Sequence, residues 1–309
     1  MNKKKADHDV MVIGGGPGGL SAALWCAELG LDVILLEKET NLGGQLLRVY
    51  GEIKNYLGAE AASGVELRDV FLRQIKAKDV VLRTGVEIAA IRLAEKKIIL
   101  AGGEAITGKA IIIATGVRRR KLDIPGEDEF CGRGILESGV KARKDVAGKR
   151  VLIVGGGDAA LENALILADE AEKIYVVHRR SNFTAREEFL DGMRNNKKIE
   201  PILNSRVTGI FGNEAVEAAE IEDIGSGSTR RIDIDAVLIR IGVQPNTELF
   251  RGQVDLDDAG YICIDSNCST SVEGVFAIGD VASPFSPTIA TAAGQGATAA
   301  KVIGVQLNR

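Results

Sequence analysis

Two glycine-rich stretches carry residue types at spacings that could hold a nucleotide. Gly14, Gly16 and Gly19, with Pro17 between them, form GxGxxG directly after the short apolar run 9–13. In such a turn the first glycine permits a tight reversal and the second lets backbone approach a pyrophosphate. The third lets helix and strand pack closely. The helix that starts there offers free N–H groups and a partial positive charge to phosphate. Glu37, followed by Lys38, stands at the end of the next apolar run, 33–36. A carboxylate there can accept hydrogen bonds from both hydroxyls of a ribose. A purely structural turn with a surface glutamate is the alternative.

The second stretch, Gly155-Gly156-Gly157-Asp158-Ala159-Ala160, repeats the pattern as GxGxxA. After its next apolar run comes His178-Arg179-Arg180, with no acid at the place Glu37 holds in the first unit. An acid there would suit the free 2′-hydroxyl of NAD. Arginines instead offer charge and fork-shaped donors to a 2′-phosphate. This site is therefore expected to prefer NADPH, with NADH open as an alternative. The competing reading takes Arg179 and Arg180 as a solvated strand end.

These residues need elements to position them. Residues 9–13 read as a strand, 20–28 as a helix and 33–36 as a second strand, about the length a βαβ crossover needs. Residues 110–114 form another strand, ending in Thr115-Gly116. The pattern restarts with strand 150–154, turn 155–157, helix 159–168 and strand 174–177. Strands 236–241 and 275–278 follow, the latter running into Gly279-Asp280. Alternating strands and helices imply parallel sheets with helices packed on them. The expected fold class is α/β with two Rossmann-like dinucleotide-binding domains. The Gly- and Pro-containing stretches 116–125 and 242–247 act as hinges. They excise a middle domain, 118–246, from a discontinuous outer one, 1–117 and 247–309.

Composition removes several function classes. The 309 residues are 45% hydrophobic and 27% charged, which suits folded cores. A net charge of −4 gives no basic face for nucleic acid. The basic run Arg118-Arg119-Arg120-Lys121 reads as a solvated linker. The four cysteines, Cys26, Cys131, Cys263 and Cys268, make no secretory disulfide framework, so a cytoplasmic location is expected. With only two histidines, His8 and His178, no metal site is expected. Lys3, Lys4 and Lys5 precede a run that enters a glycine turn, which argues against a signal peptide. Residues 289–307 are apolar but contain Gln295 and Lys301, so a buried helix is expected and no membrane span.

The whole chain resembles the low-molecular-weight thioredoxin reductase family. The resemblance is carried by the first turn, by Gly43-Gly44-Gln45-Leu46, by Asn55-Tyr56 and by Ala114-Thr115-Gly116. It continues through the second turn, His178-Arg179-Arg180, the run 242–247 and the run 274–280. The resemblance implies that the outer domain binds FAD and the middle domain NAD(P)H. Glu37 would hold the adenosine ribose, with Gly14, Gly16, Pro17, Gly19 and Lys38 beside it, and Gly43, Gly44 and Gln45 would run along the flavin. Asn55 would lie near the isoalloxazine ring, with Ala114, Thr115 and Gly116 also at the FAD site. Gly279 and Asp280 would meet the ribityl chain. The helix opening at Thr288, Ile289 and Ala290 would face flavin O2 with its positive end. At the NADP site the resemblance adds Ile241 and Gly242. It also implies a homodimer.

The sequence departs from that family at one chemical point. A redox-active Cys-x-x-Cys belongs between Gly132-Arg133-Gly134 and the strand at Val151, and here those positions hold Ser138 and Lys141. Neither residue can form a disulfide or a thiolate. Cys131 stands alone, Cys26 reads as core, and Cys263 and Cys268 in a strand would face opposite ways. At the NADP site the family usually continues His-Arg-Arg with an Arg after a Phe; here Phe183 is followed by Thr184, and Arg186, two residues later, is the candidate for the same phosphate. Relatives without the cysteine pair include ferredoxin–NADP reductases of thioredoxin-reductase type, which extend past the last helix, whereas this sequence stops at Arg309. The leading expectation is an FAD-dependent NAD(P)H oxidoreductase. It would pass hydride from NADPH to FAD and electrons to a carrier protein (ferredoxin or flavodoxin type) or a small acceptor. Basic residues 118–121 and 141–144 are candidate docking patches for an acidic carrier. A protein-disulfide reductase with non-standard cysteines, and an FAD/nucleotide-binding redox sensor, are the alternatives.

Overall fold

A computed structural model describes residues 6–308. The chain up to Arg118 and again from Gln244 forms one compact unit, and Arg119–Val243 forms the other. Residues 244–246 and Arg118 go with the first unit for a local reason. Arg118 donates to the Asn246 side chain at 2.8 Å and to Glu248 at 2.5 Å, and Asn246 Nδ2 donates to the Thr115 carbonyl at 2.8 Å. The segments that carry the chain between units are strands, Val117–Arg119 and Val243–Pro245. The expected solvated linker at 117–121 is thus partly extended structure, and its arginines are bonded.

The first unit is built on a seven-stranded sheet. His8–Ile13 lies centrally, parallel to Val33–Leu36 on one side and Ala105–Ile113 on the other. Val275–Ala277 also runs parallel to Ala105–Ile113. The inner ends of these strands are buried on both faces, so they read as apolar runs without alternation. The sheet is parallel as expected except at one edge, where Ile88–Arg92, Lys97–Leu100 and Ala105–Ile113 pair antiparallel. Helices Pro17–Glu28 and Ile289–Gln306 cross closely because the contact is made of small residues. A methyl at Gly296 would sit 2.6 Å from the Gly18 carbonyl oxygen. The last helix is therefore an internal packing element, and among the described residues no helix is long and apolar enough to cross a membrane.

The second unit has a four-stranded parallel sheet in the order Ile199–Ile202, Lys173–Val177, Arg150–Val154, Ala236–Ile239. Helix Asp158–Ala168 crosses from the third of these to the second. A separate antiparallel sheet, Ser205–Gly212, Val216–Asp223 and Thr229–Asp233, packs its Val207, Ile210, Ala219 and Ile221 with Leu152 and Val177 in one core. Both units thus place a glycine turn at the carboxyl end of a parallel strand, where open α/β sheets bind ligands.

Candidate functional site

The first unit holds a cleft of about 960 Å³, the size of a cofactor site. Its floor is the turn after His8–Ile13. Gly14 has φ +106°, and a methyl there would lie 2.3 Å from the Ala114 carbonyl oxygen. Gly19 closes the helix onto the strand, since a methyl there would meet the Gly14 oxygen at 1.9 Å. A methyl at Gly16 would meet only Gly44 Cα, at 3.9 Å, which leaves room on the side from which a pyrophosphate could approach. The two outer glycines are thus fixed by packing, and the middle one by room for a ligand.

Glu37 lies against this turn. Its Oε2 accepts from Gly15 N–H at 2.6 Å and its Oε1 from Glu39 N–H at 2.8 Å. Two backbone donors hold the carboxylate at the rim, where it retains acceptor capacity. Lys38, Gly44 and Gln45 also line the cleft. Gln45 Nε2 donates to the Val117 carbonyl at 2.7 Å, so its amide braces the wall. Thr115 Oγ1 donates to the Asn246 carbonyl at 2.8 Å and so ties the two strand ends that border the cleft.

Asp280 enters from the opposite wall. Asp280 is half-buried, its carboxyl makes no hydrogen bond or ion pair among the described residues, and the partial burial pushes it above the ordinary carboxylate range. Its acceptors face the cleft unpaired, so the carboxyl is free to take a ligand donor. The preceding N–H, of Gly279, donates to Gln295 Oε1 at 2.7 Å, and Gln295 Nε2 donates to Ser283 Oγ at 2.9 Å. Thr288 caps the last helix by accepting from Thr291 N–H at 3.1 Å, and Thr288 and Ile289 line the cleft. The helix points its positive end there. Ribityl hydroxyls for Asp280, a ribose for Glu37 and phosphates for the open face of Gly16 fit this donor set, so the residues present suit FAD.

Not every expected residue reaches the cleft. Asn55 is exposed on an irregular segment and does not line it. Gly43, which is buried, and Ala290, which is exposed, do not line it either, and Gly19 acts through packing. Arg118, Asn246 and Glu248 line the cleft, and Gln295 braces it from behind, without any motif that marks them in the sequence. The only signal for Gln295 is an amide inside an Ala- and Gly-rich helix.

In the second unit the turn is packed in a similar way. A methyl at Gly155 would lie 2.2 Å from the Arg240 carbonyl oxygen and 3.0 Å from Ala160 Cβ. A methyl at Gly156 would lie 2.2 Å from Nδ1 of His178. His178 stacks on Phe183, with ring centroids 5.5 Å apart, and its Nε2 is buried without a partner. Burial and the charges of Arg180 and Arg179 push its imidazole below its usual value, so it is a neutral floor under the turn. Arg179 and Arg180 are exposed, and among the described residues their side chains make no hydrogen bond or ion pair. Arg186 differs: its Nε is 2.7 Å from Asp158 Oδ2 and its Nη1 2.8 Å from Glu188. Ile241 packs into the core of its unit, and Gly242 spends its carbonyl on Arg120 N–H at 3.1 Å.

Ser138 precedes the short helix Gly139–Ala142, and Gly139 N–H donates to Asn163 Oδ1 at 2.8 Å. Lys141 pairs with Glu137 at 2.6 Å. All four cysteines are free. Burial pushes the Cys26 thiol up to about 12 and the Cys268 thiol up to about 11, which suppresses the thiolate. Cys263 and Cys268 are not in a strand, since Cys268 sits at φ +62° between turns, so the opposite-face argument does not apply. The expected basic docking patches are largely neutralised. Arg118 pairs with Glu248, Lys121 with Asp128, Lys141 with Glu137 and Arg143 with Asp169.

Comparison with known proteins adds a context for both turns. Residues 8–297 match the model of a family described as pyridine nucleotide-disulphide oxidoreductase. A thioredoxin reductase of Mycolicibacterium smegmatis is 34% identical over 97% of this chain and 96% of its own length. A protein of Clostridium pasteurianum described as a 34.2 kDa protein in rubredoxin operon is 32% identical over 96% of each chain. Among solved structures, Lactococcus lactis thioredoxin reductase superposes with a TM-score of 0.83 at 32% identity, covering 97% of this chain and all of that one. Thioredoxin reductase of T. acidophilum gives 0.82 at 30% identity, covering 99% of this chain and all of that one.

Proposed function

The chain belongs to the pyridine nucleotide-disulphide oxidoreductase family, in its thioredoxin-reductase-like branch, and from that premise we propose that its electrons go to a small carrier protein or small-molecule acceptor rather than to a disulfide. It is an FAD-dependent oxidoreductase, and NADPH is the family's reductant. Hydride exchange with nicotinamide and onward electron transfer are the chemistry the flavin supplies when bound. The residues contribute binding and electrostatics. Glu37 takes the ribose, the turn at Gly16 leaves room for phosphates, and Asp280 anchors the ribityl chain. The helix beginning at Ile289 lowers the cost of negative charge on the flavin edge. Arg179 and Arg180 take the 2′-phosphate.

One observation carries the choice of acceptor. Where a reducible cysteine pair would stand, this chain has Ser138 and an ion-paired Lys141, and its four cysteines are free. The position of the Clostridium relative in a rubredoxin operon agrees with a carrier of ferredoxin, flavodoxin or rubredoxin type. A disulfide reductase is the second reading, favoured by the names of the thioredoxin reductase relatives. The protein is expected to act in the cytoplasm as a homodimer. Steady-state NADPH oxidation with ferredoxin, flavodoxin and rubredoxin, against thioredoxin disulfide, tests the reading. Turnover with a carrier and none with the disulfide supports it, and the reverse overturns it.

A further inference from the structure

We propose that Arg186 is the latch of the second nucleotide turn and that it does not read the 2′-phosphate, which is left to Arg179 and Arg180 as already proposed. The inference rests on reading that turn as the NADPH site. Arg186 grips Asp158 twice, through its backbone N–H to Oδ1 at 2.8 Å and through Nε to Oδ2 at 2.7 Å. Its Nη1 reaches Glu188 at 2.8 Å, and the guanidinium lies 4.8 Å from the centre of the Phe189 ring. Asp158 is the first residue of helix Asp158–Ala168, directly behind the glycines. Two residues before Arg186, Thr184 N–H donates to the Gly156 carbonyl at 2.7 Å. Residues 184–186 therefore strap the turn at Gly156 and at Asp158.

The charges agree with the latch. Arg186 has carboxylates on two sides, and its N–H groups hold the Asp158 carboxyl below the usual range. A phosphate ester approaching Arg186 would meet Asp158 and Glu188 as well, and like charges at close range oppose binding. Arg179 and Arg180 have no such neighbours in bonding distance among the described residues and keep their fork-shaped donors available. A strap of this kind acts on what both nucleotides share, the pyrophosphate turn. It cannot distinguish them by the 2′ substituent.

Binding of NADP⁺ and NAD⁺ to the oxidised holoenzyme by calorimetry separates the roles. Arg186→Gln and Asp158→Asn are expected to leave the ratio of the two affinities within about threefold of wild type. A double variant, Arg179→Gln with Arg180→Gln, is expected to lose about tenfold or more in NADP⁺ affinity and nothing for NAD⁺, as loss of charged hydrogen bonds predicts. Amide exchange at residues 156–158 is expected to quicken in Arg186→Gln and in Asp158→Asn, and not in the double variant. Selective loss of NADP⁺ in Arg186→Gln overturns the latch, as does selective tightening of NADP⁺ in Asp158→Asn, where Arg186 is released. Unchanged amide exchange in Arg186→Gln also overturns it. A wild-type protein that binds both nucleotides equally overturns instead the underlying reading of the turn as an NADPH site.

Discussion

The backbone N–H of Gly279 donates to Oε1 of Gln295 at 2.7 Å, so the residue before Asp280 is fastened to the interior of the last helix. Gln295 also donates to Ser283 at 2.9 Å, bracing the loop that follows. Asp280 thus owes its place in the cleft to an amide sixteen positions beyond Gly279. Gln295→Leu leaves the Gly279 N–H without a partner, a loss of about 1–3 kcal/mol. The expected result is a lower melting temperature together with flavin lost on dialysis, followed by absorbance. A variant that melts lower yet retains flavin as wild type does would separate Gln295 from the cleft.

Asp280 itself trades stability for binding. Burial raises its carboxyl in the folded protein, so the folded state binds the proton more readily than the unfolded chain does. Its contribution to stability is therefore favourable at low pH and lost as pH rises through the raised value. Asp280→Asn apoprotein is expected to melt above wild type at neutral pH, with the difference vanishing below the usual carboxylate range, while FAD affinity falls. Thermal melts of both apoproteins across pH 3–8 check this. A variant less stable than wild type at neutral pH would contradict it.

Glu37 accepts two backbone N–H groups, from Gly15 and Glu39, in addition to the ribose assigned to it. Glu37→Ala is expected to weaken FAD binding by about tenfold or more, since hydrogen bonds to charged groups contribute about 1.5–3 kcal/mol each. Fluorescence titration of apoprotein with FAD measures it. An affinity within twofold of wild type would remove Glu37 from the site.

Gly156 and His178 form a coupled pair, because a methyl on the glycine would lie 2.2 Å from the imidazole. Gly156→Ala is expected to abolish most NADP⁺ binding, and His178→Ala in the same chain to restore part of it. A double-mutant cycle on NADP⁺ affinity should give a favourable interaction of about 0.5–3 kcal/mol. Strict additivity would show that the clash is relieved elsewhere.

Much of this was legible in the residues, for physical reasons that differ by region. Val33–Leu36 and Arg150–Val154 are short apolar runs bounded by polar residues or glycine, and they are strands with those limits. Both nucleotide turns were legible because steric demands at Gly14, Gly19 and Gly155 leave few other residues possible. The hairpin of Ile88–Arg92 with Lys97–Leu100 was not, because its period-2 signal is blurred by two adjacent alanines and a bulge. Thr229–Asp233 is almost wholly exposed and charged, so nothing in its pattern announced a strand. Its place after His178-Arg179-Arg180 makes Arg186 a candidate phosphate ligand. Only three-dimensional proximity shows that Asp158, far back in the chain, holds it.

The central claim, a flavoprotein without a redox disulfide, is tested most directly by anaerobic titration of the purified protein with NADPH while flavin absorbance and free thiols are followed together. The account predicts full bleaching with a single equivalent per flavin and no new thiols. Uptake of a second equivalent with two new thiols would contradict it and return the protein to the disulfide reductases.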